Sequence, residues 1–223
     1  MSPPVGPTGC EGPAHAAGAP IDRWLFGVGA GGFASELSFG DGRDVDIEQQ
    51  SAAVSIGYRI NPRLSVRGNA GVIVDGSLRY DGREFDVGHG WLITASVAHR
   101  WDIGRVFVTG SVSLGASFTE TEQDDLPEEE AELTEETLIA SDARLGVIAG
   151  TTLWDRVSPY LLARAFAGPV AWAIDGEDVT GSDKHHYQIG GGISLALPAN
   201  LGVQVDVSAL GERSLSVGVA LAL

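Results

Sequence analysis

Side chains able to do chemistry are plentiful in this 223-residue chain, but their spacing keeps them apart. His185 and His186 are adjacent, so on a strand they face opposite ways and do not make a metal-ligand pair. His89 and His99 belong to opposite ends of one extended stretch. Serines abound, yet none is spaced to meet both a histidine and an acid, as nucleophilic catalysis requires. Residues 119–137 carry Glu120, Glu122, Asp124, Asp125, Glu128, Glu129, Glu130, Glu132, Glu135 and Glu136, ten of the 30 acids, with no basic residue among them. Their order lacks the ligand spacing of a calcium-binding EF-hand loop. They read as a solvated charge run, in which Pro127 could open a short helix with an acidic first turn. The expectation is therefore a protein without enzymatic activity, metal or cofactor.

A second set of charges has spacing that matters. Arg59, Arg67, Arg100, Asp142, Arg144, Arg164 and Asp206 each stand on the polar side of an alternating stretch. Charges enclosed in a barrel must pair with one another or meet water. Counted from the nearest tight turn, Arg67, Arg164 and Asp206 come at similar depth, with Asp142 and Arg144 further along. Two outcomes stay open: a salt-bridged plug that stiffens the barrel, or a water-filled pore whose excess of arginine favours anions.

The elements that hold these charges must be strands. In Val106–Phe118 the residues Val106, Val108, Val112, Leu114, Ala116 and Phe118 alternate with Thr109, Ser111, Ser113, Gly115 and Ser117. That is a period of two, with one large apolar face and one small polar face. The same pattern recurs from Arg23 to Ala34, Ser51 to Ile60, Leu64 to Val74, Trp91 to Trp101, Ile139 to Leu153, Tyr160 to Trp172, Tyr187 to Leu197, Leu201 to Ser208 and Ser214 to Leu223. About ten strands result, with eight or twelve as alternatives. Connections after the second, fourth, sixth and eighth strands are tight, as at Asn61-Pro62-Arg63 and Pro198-Ala199-Asn200. Those after the first, third, fifth and seventh are long and mostly acidic, and only the last one, at Gly211-Glu212-Arg213, is short.

Bulk properties narrow the class. No run approaches the 18 or so apolar residues of a membrane-spanning helix, a test that strands escape. A net charge of −16 argues against nucleic acid as a partner. Cys10 is the single cysteine, so no internal disulfide can form. Residues 1–21 are rich in Pro, Gly and Ala and read as a disordered leader without the basic and apolar regions of a signal peptide. Residues 22–223 then make one barrel domain.

Two features choose between a soluble and a membrane barrel. Trp24, Tyr58, Trp101, Trp154 and Tyr160 gather at the tight-turn ends, and Phe85, Trp91, Phe118, Trp172 and Tyr187 at the loop ends. Trp91 and Trp101 share a face ten residues apart, about 26 Å for a strand tilted by ~40°, close to the ~25 Å apolar band of a membrane barrel. The polar face is mostly Gly, Ser, Ala and Thr, which suits a narrow lumen better than a water-exposed surface. In these respects residues 22–223 resemble the small outer-membrane β-barrel proteins of Gram-negative bacteria, the OmpA-type and porin-like barrels. The resemblance implies an all-β, antiparallel up-and-down transmembrane barrel in the bacterial outer membrane. Its partners would be outer-membrane lipids and, during biogenesis, the barrel-assembly machinery. Its role would be a narrow passive channel or a structural, surface-exposed protein. A soluble lipocalin-like barrel binding an apolar ligand, or an outer-membrane enzyme active at the rim, are the alternatives.

Overall fold

The computed structural model describes residues 22–40, 42, 44–123, 136–174 and 177–223. The leader with Cys10, and the acid-rich segment 124–135 with its expected helix, lie outside the described residues. The described residues form twelve strands: β1 (Trp24–Phe39), β2 (Asp44–Arg59), β3 (Leu64–Tyr80), β4 (Arg83–Ile103), β5 (Val106–Gln123), β6 (Glu136–Thr151), β7 (Val157–Ala167), β8 (Pro169–Ile174), β9 (Glu177–Asp183), β10 (Tyr187–Leu197), β11 (Leu201–Gly211) and β12 (Arg213–Ala222). Ten of them close an antiparallel barrel in the order β12-β11-β10-β7-β6-β5-β4-β3-β2-β1, with β12 returning to β1. Reciprocal hydrogen bonds between Trp24 and Leu223, both 2.9 Å, fasten the turn end of that seam.

β8 and β9 alter the wall at the loop end. Gly168 brings the chain so close to β6 that a Cβ there would run into the Ser141 carbonyl. Beyond it β8 continues the line of β7 and pairs with β6 through Leu138↔Trp172, Ile139↔Ala171 and Ala140↔Val170. β9 pairs with β8 and then, through Leu37↔Asp183, Ser38↔Ser182 and Phe39↔Gly181, directly with β1. The hairpin β11–β12 therefore stops below the rim, and eight strands, β1 to β6 with β8 and β9, close over it. This accounts for the short connection Gly211-Glu212-Arg213 that the sequence places at the loop end.

The strands run further than the sequence suggests, because the alternation changes sense along them. On β2 the outward residues are Ala52, Val54 and Ile56 near the turns but Asp44, Asp46, Glu48 and Gln50 near the loops. Its inward residues reverse in step, from Ser51, Ser55 and Gly57 to Val45 and Ile47. The stretch Asp75–Gly90, expected as a long charged loop, is mostly the upper β3–β4 hairpin. It turns on Asp81-Gly82, both at positive φ (49° and 78°), the geometry of a two-residue hairpin. Likewise 119–123 and 136–137 belong to β5 and β6 rather than to an insertion. On β2 period two survives and only the apolar face changes, while on β3 and β4 bulges near Val74 and between Val87 and Gly90 shift the parity, so that Ile73 and Leu78, and Phe85 and Leu92, all face inward.

Candidate functional site

The interior is built in two storeys. Along β6 the even positions face inward, so Asp142 and Arg144 are neighbours on one face. Arg144 donates from Nε to Asp142 Oδ2 at 2.9 Å and from Nη1 and Nη2 to the two oxygens of Glu212 at 2.9 and 3.3 Å. Its guanidinium also lies 4.8 Å from the Phe166 ring centre. Glu212 has no exposed surface at all. One planar, five-donor cation thus serves two enclosed carboxylates. Beside it Arg164 donates to Gln188 at 2.9 Å, and Gln188 to Ser214 at 2.7 Å. Asp206 accepts from Tyr160 at 2.5 Å, from Gln204 at 2.9 Å and from Ser216 at 3.4 Å, and its charge, like that of Glu212, acts on Arg164 through space.

The structure thus gathers Asp142, Arg144, Arg164 and Asp206 into one polar layer. Arg59 and Arg100 lie apart at the turn end. Arg59 reaches the Asp22 carbonyl at 3.4 Å, while Arg100 pairs with Asp102 at 2.8 Å and covers Phe107 at 4.4 Å. Arg67 stands on the small-residue wall, in register with Gly57 and Ser96. Glu212, Gln188 and Gln204 escaped the sequence reading. The usable signal for Glu212 was a hairpin too short to reach the rim. For Gln188 and Gln204 only their inward parity gave a hint.

Above this layer the interior is apolar. Phe33, Leu37, Phe39, Val45, Ile47, Ile73, Leu78, Phe85, Val87, Leu92, Leu138, Phe166, Val170 and Trp172 form one buried cluster. Trp172, expected in the outer aromatic girdle, points inward and is 1% exposed. It packs on Phe85 and Phe39 at 5.3 and 6.0 Å and donates to Thr121 at 3.2 Å. Phe85, of the same parity as outward Trp91, is turned inward by the bulge between Val87 and Gly90, whereas Trp172 keeps the inward parity of Leu162, Phe166 and Val170. Tyr160, expected in the inner girdle, is also buried, because it shares the inward parity of Leu162, Arg164 and Phe166 on β7, and its hydroxyl finds Asp206.

On the outside, the remaining aromatics hold their expected faces. Trp24, Trp101 and Trp154 are exposed at the turn end, Tyr58 packing edge-on against Trp24 at 5.0 Å. Trp91, stacked on Phe118 at 6.0 Å, and Tyr187 are exposed at the other. Between them lie bare Val28, Val54, Ile56, Val72, Ile93, Val97, Val112, Leu114, Leu145, Leu161, Val217 and Val219. A continuous apolar belt of this size on a folded surface is a membrane-facing wall. Among the described residues no three His, Cys, Asp or Glu side chains are grouped to hold a metal ion.

No family model and no curated protein sequence matches the chain. Solved structures do. The outer membrane protease OmpT of Escherichia coli superposes with a TM-score of 0.56 at 8% identity, over 94% of this chain and 100% of that one. The translocator domain of the autotransporter NalP of Neisseria meningitidis gives 0.52 at 12%, over 93% and 90%. The transport unit of the autotransporter AIDA-I of E. coli gives 0.50 at 12%, over 92% and 91%. At such identities the likeness is one of fold, and that fold is the outer-membrane β-barrel.

Proposed function

We propose that this protein is an integral outer-membrane barrel that is closed to solutes, has no enzymatic activity and serves as a structural, surface-exposed protein. The observation that carries this reading is the filled outer half. Leu37, Val45, Ile47, Ile73, Leu78, Leu92 and Trp172 are each at most 1% exposed, so the upper lumen has the packing of a protein core. Beneath it the Arg144–Asp142–Glu212 cluster forms the salt-bridged plug, the first of the two outcomes left open by the sequence. The outer half also stands clear of the belt as a stalk with Asp44, Asp46, Glu48, Glu84, Asp86 and Glu120 on its outside. The non-enzymatic reading rests on the scattered histidines: His89 and His186 are exposed, and His99 is on the outer wall against Trp101 at 4.6 Å.

The narrow-channel reading draws support from one feature, the half-buried Arg67, Asn69, Thr94, Ser96, Ser111 and Ser113 on the inner wall nearer the turns. Those side chains are not packed over, so that storey is roomier than the one above it. Recording from planar bilayers separates the two readings. The closed reading expects no steady conductance from inserted, folded protein. A stable ohmic open level would overturn it in favour of the channel.

A further inference from the structure

Positive charge is concentrated where the tight turns meet the membrane belt. Arg63, Arg105 and Arg156 sit on three successive turns of that end, β2–β3, β4–β5 and β6–β7, two strands or about 10 Å apart. All three are exposed, and none has a hydrogen-bond or ion-pair partner for its side chain among the described residues. The nearby carboxylates do not neutralise them: Asp102 is held by Arg100, and Asp155 makes no bond to its neighbour Arg156. In a chain of net charge −16 this is a local excess of cations. Each arginine adjoins an exposed apolar anchor, Ile60, Ile103 or Trp154. Trp154 supplies a second, independent sign. It stands at the tip of the β6–β7 turn and is 81% exposed, the most exposed large apolar side chain among the described residues.

We infer that this rim binds anionic phospholipid of the periplasmic leaflet, the three arginines taking headgroup phosphates and Trp154 inserting at the acyl boundary. A guanidinium fits a phosphate bidentately, and each basic residue near an anionic membrane surface contributes roughly a five-fold preference. The inference rests on the membrane reading above, so the test counts only barrel that has inserted and folded, judged by its heat-modifiable migration. Full-length protein is refolded into vesicles of equal phosphatidylglycerol and phosphatidylcholine and released in mild detergent. Lipids still bound are then counted by mass spectrometry. Phosphatidylglycerol should be retained at least about ten-fold over phosphatidylcholine. The ratio should fall towards one in the triple variant R63Q/R105Q/R156Q and stay unchanged in R83Q at the opposite end. Trp154→Asn should fold as well as the parent in detergent but hold less lipid. A ratio near one in the parent protein, or an unchanged ratio in the triple variant, would overturn the inference. So would displacement by inorganic phosphate at an ionic strength where chloride has no effect, since that marks a site for free anions. Failure to insert at all would instead count against the membrane reading.

Discussion

Arg144 holds two carboxylates from different parts of the chain, one two residues away on its own strand and one at the tip of β11–β12. Removing one member of such an enclosed set leaves a charge without its partner, which costs more than the intact pair contributes. Glu212→Ala should therefore lower the unfolding free energy of vesicle-embedded barrel in urea by about 3 kcal/mol. Arg144→Met combined with Glu212→Leu, made in an Asp142→Asn background so that Arg144's other carboxylate is not stranded, should recover more than half of that, because an apolar pair of similar volume then replaces the charges. Strictly additive losses in the single and double variants would contradict the coupling. The inward charges were legible as a set, since strand parity places them. Their partners were not: Glu212 becomes visible only once the hairpin is known to end below the rim.

The element that departs most from a simple barrel is the β8–β9 strap. It is joined to β6 and to β1 by three residue pairs each, whereas neighbouring ladders such as β4–β5 run almost the whole strand. Short ladders open more readily than long ones. Amides of Val170–Ala173 and Val179–Ser182 should exchange with deuterium well before those of Thr94–Val97. Equal protection would contradict a separately labile strap. Lys184 helps to hold it, with Nζ 2.6 Å from Glu36 and 3.1 Å from Asp44. The hydrogen bond from Lys184, and then that from Ser38, keeps the exposed Asp44 carboxyl below its ordinary value. A lowered folded-state value means a contribution complete above the unfolded carboxylate range and lost as pH falls through it. Strap exchange, corrected for its intrinsic pH dependence, should thus rise only below about pH 4, and Lys184→Met should weaken that dependence while Ser38 keeps part of it. Strand number and turn parity were readable because period two is intact along the belt-level part of the strands, below the bulges of β3, β4 and the β10–β11 pair. The upper hairpins were not, because residues such as Asp46, Glu48 and Glu84 look like loop when the apolar face is assumed never to switch. Gly168-Pro169 was the one local mark of the strap, a break inside what otherwise reads as a single strand.

Over the whole molecule, the same sheet is inside-out in one storey and right-side-in in the other. Around the belt the wall carries Val, Leu, Ile and Trp outward and Gly, Ser and Arg inward. Above it the wall carries Asp, Glu and Gln outward and Leu, Phe and Trp inward. The first arrangement is stable only in lipid and the second only in water, so the level at which polarity reverses marks the outer edge of the bilayer. Trp91 lies just below that level, Trp101 at the opposite edge, and Trp172 inside the upper core. Single-tryptophan variants refolded into vesicles with lipids brominated at different depths test this most directly. Trp91 and Trp101 should both be quenched, more by bromines near the headgroups than by those at the bilayer midplane. Trp172 should be quenched by none and emit at short wavelength, as a ring in a dry core does. Quenching of Trp172 with Trp91 and Trp101 untouched would place lipid against the wrong face and contradict the account.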